Sequence, residues 1–120
     1  MNIAEFTEQL QQDNNTISFD TVMTFIEQHF AYSASRFVNG LGEQAVVNEA
    51  GSNEGSCKIF ALGQALTLTE TQTLACFGRF YREDVLGNPN GSDHGNIRSF
   101  MVHGWAGIQF DSPPLTSLTD

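Results

Sequence analysis

Basic side chains are scarce in this chain: five Lys and Arg stand against 14 Asp and Glu, for a formal net charge of −9 over 120 residues. Such a balance repels a nucleic-acid backbone or an anionic membrane surface, and neither is expected as a partner. The shortage is sharpest at the start, where residues 1–32 carry Glu5, Glu8, Asp13, Asp20 and Glu27 with no Lys or Arg, a pattern that reads as a solvated acidic face. Long apolar runs are missing too. Nothing approaches the ~20 residues that a membrane span needs, and the N-terminus has neither a basic n-region nor an apolar h-region, so the chain is expected to fold in the cytosol.

Cysteine is limited to Cys57 and Cys76, without CxxC or zinc-ligand spacing, and free thiols are expected in a reducing compartment. The three histidines, His29, His94 and His103, match neither HExxH nor an i, i+4 pair, so no metal site and no cofactor are expected. With a single Trp and two Tyr, the ten Phe must supply most of the aromatic packing of the core.

What is present reads as an α+β domain, predominantly helical, with about five helices and a small antiparallel β-hairpin or three short strands. Ile3, Phe6 and Leu10 predict a helix over 2–12 that stops at Asp13-Asn14-Asn15. Phe19, Val22, Met23, Ile26 and Phe30 form a longer apolar stripe over 19–31, with Ser18 as its cap. Arg36-Phe37-Val38 and Gln44–Val47 around Asn39-Gly40-Leu41-Gly42 suggest a hairpin. A helix over 54–66 follows, capped by Ser52 or Asn53. Thr69 and Gln72 match a capping box that opens another over about 70–86. The Gly87-Asn88-Pro89-Asn90-Gly91 run must turn, because Pro89 lacks an amide proton. Asp93 is placed to cap a helix over about 94–103, and Trp105–Phe110 follows as a short strand. The expected organisation is one domain over 1–111 and a flexible tail over 112–120, where Pro113-Pro114 and small polar residues dominate.

Polar chemistry concentrates in two places. Asn53-Glu54-Gly55-Ser56-Cys57 sets a thiol in the opening turn of a helix, where the dipole and free amides favour a thiolate. Asp93-His94-Gly95-Asn96-Ile97-Arg98 gathers an imidazole, a guanidinium and free amides in one turn, a combination suited to a carboxylate or phosphate. Together they give a Cys-His thiol hydrolase or transferase reading: Cys57 is the nucleophile, His94 the base, and Asn96 or Asp93 orients the imidazole. A binding reading draws instead on Asn53, Glu54, Ser56, Arg98 and Trp105 around a small anionic ligand. In the plain structural reading Cys57 is a buried hydrophobe, Asn53 and Ser56 are caps, and Arg98 bridges to an acid.

Phe37-Val38-Asn39-Gly40, Asn53-Glu54-Gly55-Ser56-Cys57, Phe77-Gly78-Arg79-Phe80-Tyr81-Arg82 and His94-Gly95-Asn96-Ile97-Arg98-Ser99-Phe100, followed by Gly104-Trp105, resemble the HopJ type III effector family over about 3–110. The resemblance implies a small protein named for effectors that Gram-negative plant pathogens inject into host cells. It implies no catalytic residues. On that basis the expected function is binding, with a host or bacterial protein partner or a small anionic ligand. Its expected location is the bacterial cytoplasm, with delivery to a host cell by a type III system implied by the resemblance alone. The alternatives are the thiol enzyme and a bacterial housekeeping protein that is not secreted.

Overall fold

The computed structural model describes residues 1–12 and 15–118. Among the described residues the architecture is α+β: five α-helices, a π-helical turn and two small antiparallel sheets. Helices α1 (Ile3–Gln12) and α2 (Phe19–His29) bury Phe6, Leu10, Val22, Phe25 and Ile26. The Phe6 and Phe25 rings stack with centroids 4.1 Å apart, which fixes one helix on the other. The start of α1 has a reciprocal cap, since Glu5 N donates to Asn2 Oδ1 and Asn2 N donates to Glu5 Oε1. Its expected stop at residues 13 and 14 lies outside the described residues. Ser18 caps α2 as its sequence implies, accepting from the Thr21 amide.

Strand β1 (Phe30–Tyr32) begins inside the predicted 19–31 helix, because Phe30 at φ −138° leaves the α region. The predicted hairpin forms from β2 (Phe37–Asn39) and β3 (Val46–Asn48), joined through a 3-10 turn at Gly42–Gln44. Gly40, at φ +125°, turns the chain there, and its amide donates to the Gly107 carbonyl at 3.0 Å. Helix α3 (Glu54–Ala65) carries the central buried row Cys57, Ile59, Phe60 and Leu62. Gly63 lets it lie close to Trp105, since a Cβ there would stand 2.6 Å from the Trp105 ring.

Helix α4 (Glu70–Ala75) opens on the predicted Thr69–Gln72 capping box. It does not run on to 86. Gly78 takes φ +61°, and a π-helical turn follows over Phe80–Val85. The break has a packing cause, because a Cβ on Gly78 would sit 2.7 Å from the Phe19 amide nitrogen. Helix α5 (Gly95–His103) then passes through a 3-10 turn at Gly104–Gly107 into β4 (Ile108–Phe110), which pairs with β2 to give the order β3-β2-β4. The expected strand over 105–110 is thus shorter by three residues.

The segment expected as a flexible tail departs most from its sequence reading. Leu115–Ser117 form β5, antiparallel to β1 in the register Phe30↔Ser117, Ala31↔Thr116 and Tyr32↔Leu115. The Ser33 amide also donates to the Pro114 carbonyl. Pro113-Pro114 favours an extended backbone that can enter a strand as well as a loop, and β1 offers the ladder partner. No described helix is long and apolar enough to cross a membrane.

Candidate functional site

Two helix starts meet at one cleft. Asn53 before α3 and His94 before α5 both hold left-handed backbone, at φ 51° and 52°, and neither helix has a side-chain cap. The first ladder bonds are Cys57 N to Asn53 O and Arg98 N to His94 O. The amides of Glu54, Gly55, Ser56, Gly95, Asn96 and Ile97 therefore stand outside the helical ladders. Five of those six residues, all but Glu54, line a single cleft of about 230 Å³ together with Phe19, Asn53, Phe77, Phe80 and His94.

The cleft has an aromatic wall that motif reasoning did not assign to it. Phe19 and Phe80 meet edge to face with centroids 5.2 Å apart, and the His94 ring lies 5.4 Å from Phe80. Gly55 makes room for this wall, since a Cβ there would come within 2.8 Å of the Phe19 ring. A signal existed in the sequence: Phe77 and Phe80 belong to one of the blocks that carried the family resemblance, while Phe19 was placed only in the core stripe of α2.

His94 takes its orientation from the π-helical turn. Its Nε2 lies 3.0 Å from Asp84 Oδ2, whereas Asp93 Oδ2 is 3.8 Å away. The proposed orienting role of Asn96 is not the one its side chain plays. Asn96 is buried and bonds to Asn48 and Asn39.

Cys57 stands apart from His94. The thiol is 1% exposed, is absent from the cleft lining and shares no hydrogen bond with the imidazole. Burial pushes its pKa up, partly offset by a hydrogen bond from the Ser35 backbone. The helix dipole expected to favour its thiolate is outweighed by desolvation. Ser56, one residue earlier, faces the cleft in its place.

Arg98 is also withheld from a cleft ligand. Its Nε donates to the Asp93 carbonyl at 2.7 Å, and Nη2 donates to Asp93 Oδ1 at 2.6 Å and to the Asn88 carbonyl at 3.0 Å. A third group, Nη1, donates to the Pro89 carbonyl at 3.3 Å. Asp93 is therefore not the cap of α5. Its carboxylate grips Arg98, and that hydrogen bond holds its pKa below the ordinary value. The guanidinium staples the Asn88–Asp93 loop to α5.

Asn53 does not cap α3 with its side chain, which donates instead to Asn48 Oδ1 at 2.7 Å. Glu54 is exposed in the first turn and outside the cleft lining. Trp105 lies elsewhere, with Nε1 donating to the Leu68 carbonyl and its ring edge-on to Phe100. Of the sequence-stated candidates, the structure brings Asn53, Ser56, His94 and Asn96 to the cleft and leaves Glu54, Cys57, Arg98 and Trp105 outside it. Among the described residues, no group of three or more His, Cys, Asp or Glu side chains converges as metal ligands would.

Among curated proteins none matches this chain. A solved crystal structure, that of the unknown-function protein VPA0580, is 47% identical to it with a TM-score of 0.92, covering 98% of this chain and 94% of the other. The family model described as HopJ type III effector protein matches residues 3–115. That span takes in both helix starts, the aromatic wall between them and the first residue of β5, and the chain belongs to the HopJ type III effector protein family.

Proposed function

We propose that this chain works by binding, and that its cleft receives a carboxylate or phosphate carried on an apolar, preferably aromatic, body. The observation behind this reading is the pairing of two uncapped helix starts on one cleft. Backbone donors outside the helical ladder and the positive ends of two helix dipoles favour an anion there, even on an acidic protein. The rings of Phe19, Phe77 and Phe80 supply the apolar contact that a bare ion would not need. The ligand is a free small molecule or an acidic group on a host or bacterial protein partner.

Binding is favoured over thiol catalysis because the buried Cys57 and the cleft-lining His94 do not address a common atom. The test uses benzoate and inorganic phosphate as probes, followed by NMR at the Gly55 and Gly95 amides. Benzoate is expected to shift both resonances saturably and more tightly than phosphate.

The Gly95→Asp variant separates a specific site from a damaged fold. A Cβ at Gly95 meets nothing within 4 Å, and an acid in the first turn of a helix is stabilising. The variant should gain or keep thermal stability while losing benzoate binding by about tenfold or more, as its own carboxylate occupies the donors. Absence of saturable shifts in the parent protein, or unchanged binding in Gly95→Asp, would overturn the reading.

The family name also carries a proposal about place, that the protein is delivered into a host cell by a type III system. A translocation reporter fused behind the full chain should appear in host cytosol only when the secretion system is intact. A reporter that stays in the bacterium would favour a housekeeping role.

A further inference from the structure

We propose that Asn48, on the hairpin and outside the cleft lining, is the positioning residue that locks the two helix starts to each other, so that a displacement of one is felt at the other. This rests on the cleft reading for its functional consequence, although the coupling can be measured without any ligand.

Asn48 is 1% exposed. Its Oδ1 accepts from Asn53 Nδ2 at 2.7 Å and from Asn96 Nδ2 at 2.9 Å. Asn53 is the residue that precedes α3, and Asn96 lies in the first turn of α5. One carbonyl oxygen is thus shared by both helix starts. Asn48 Nδ2 donates back to Asn96 Oδ1 at 3.1 Å and reaches the carbonyls of Val46 and Phe37 at 3.3 and 3.4 Å, which anchor the side chain to its own sheet. Asn39 joins from β2, donating to Asn96 O at 2.8 Å and Asn96 Oδ1 at 3.1 Å.

The arrangement explains why Asn53 forgoes capping. A capping side chain would satisfy one α3 amide and leave the two helices independent, whereas here it is spent on the link. Asn48 and Asn96 are both buried and pair their amides reciprocally, which holds one geometry tightly, because any slip leaves one of those polar atoms unpaired in a low-dielectric interior. Preorganised donors are what an anion cleft needs, since a ligand then need not order them itself.

The test follows the Gly55 and Gly95 amide resonances in Asn48→Ala and Asn53→Gly proteins. Gly keeps the left-handed backbone at 53 and removes only the side chain, so this variant remains folded and informative if Asn48→Ala does not. Asn53→Gly is expected to move Gly95 as well as Gly55, to weaken benzoate binding about tenfold, and to add nothing further in the Asn48→Ala background. A Gly95 resonance that stays in place in Asn53→Gly, or effects of the two substitutions that simply add, would overturn the coupling. If the unsubstituted protein binds neither probe, the cleft reading fails, and the Gly95 response still decides whether Asn48 links the helices.

Discussion

At the scale of single residues, burial decides what each polar side chain does. Cys76, fully buried within the helical layer, has its pKa pushed up to about 12 by desolvation. Below the free-thiol value of about 9 the folded and unfolded chains both hold that proton, so the thiol contributes no pH dependence. Between about 9 and 12 only the unfolded chain releases it, so stability falls as pH rises through that window. Urea unfolding across pH 8–11 should show this loss, and Cys76→Ala should lessen its slope after allowance for the smaller side chain, the remainder coming from Cys57 and Tyr32, which are raised in the same direction. Cys57, raised in the same direction, should resist alkylation at neutral pH until the protein unfolds. Rapid labelling of the native protein would restore the thiol to the list of candidate nucleophiles.

At the scale of elements, glycine sets where helices stop and how near they come. Gly78 breaks the Glu70–Val85 stretch because its backbone is left-handed and Phe19 leaves no room for a Cβ. The resulting offset turns Phe80 and Asp84 onto a π-helical turn beside His94. Gly78→Ala combines a left-handed alanine, costing ~1 kcal/mol or more, with a contact against backbone that cannot give way. A loss of about 2–3 kcal/mol in thermal or urea unfolding is expected, together with a change in the His94 environment by NMR. A fully stable Gly78→Ala protein would mean that the chain relaxes into a continuous helix at little cost. Helix periodicity alone favours that continuous helix, since Leu74, Phe77, Tyr81 and Val85 keep their spacing across the break.

At the scale of the whole molecule, the C-terminal segment belongs to the fold. Leu115–Ser117 pair with β1, and Tyr32 and Leu115, opposite one another in the ladder, pack against the core. Removing residues 112–120 should therefore cost ~1–3 kcal/mol, the worth of three cross-strand pairs, and should speed hydrogen exchange along Phe30–Tyr32. An unchanged melting temperature would show that β5 rests on the domain without supporting it. The acidic surface acts at the same scale. With a net charge of −9, free anions approach the cleft against the overall field, so benzoate binding as proposed would have to rest on short-range donors at the two helix starts.

Local signals in the sequence determined much of this protein. Apolar spacing set the helices, Ser18 and the Thr69–Gln72 box set their starts, the β-forming residues around Asn39–Gly42 set the hairpin, and several short blocks in order pointed to the family. Each depends on neighbours a few positions apart, where chain connectivity already fixes the distances. Tertiary structure alone decided that Phe19 faces Phe80, that Asp84 holds His94, that Arg98 is consumed by the Asn88–Asp93 loop, and that β5 returns to β1. It also turned Asn53 from a cap into one arm of an amide link to the buried Asn48. The physical reason is competition: a polar side chain has many partners within reach of its type. Which one it takes depends on the surfaces that packing brings together and on the cost of leaving the others unpaired.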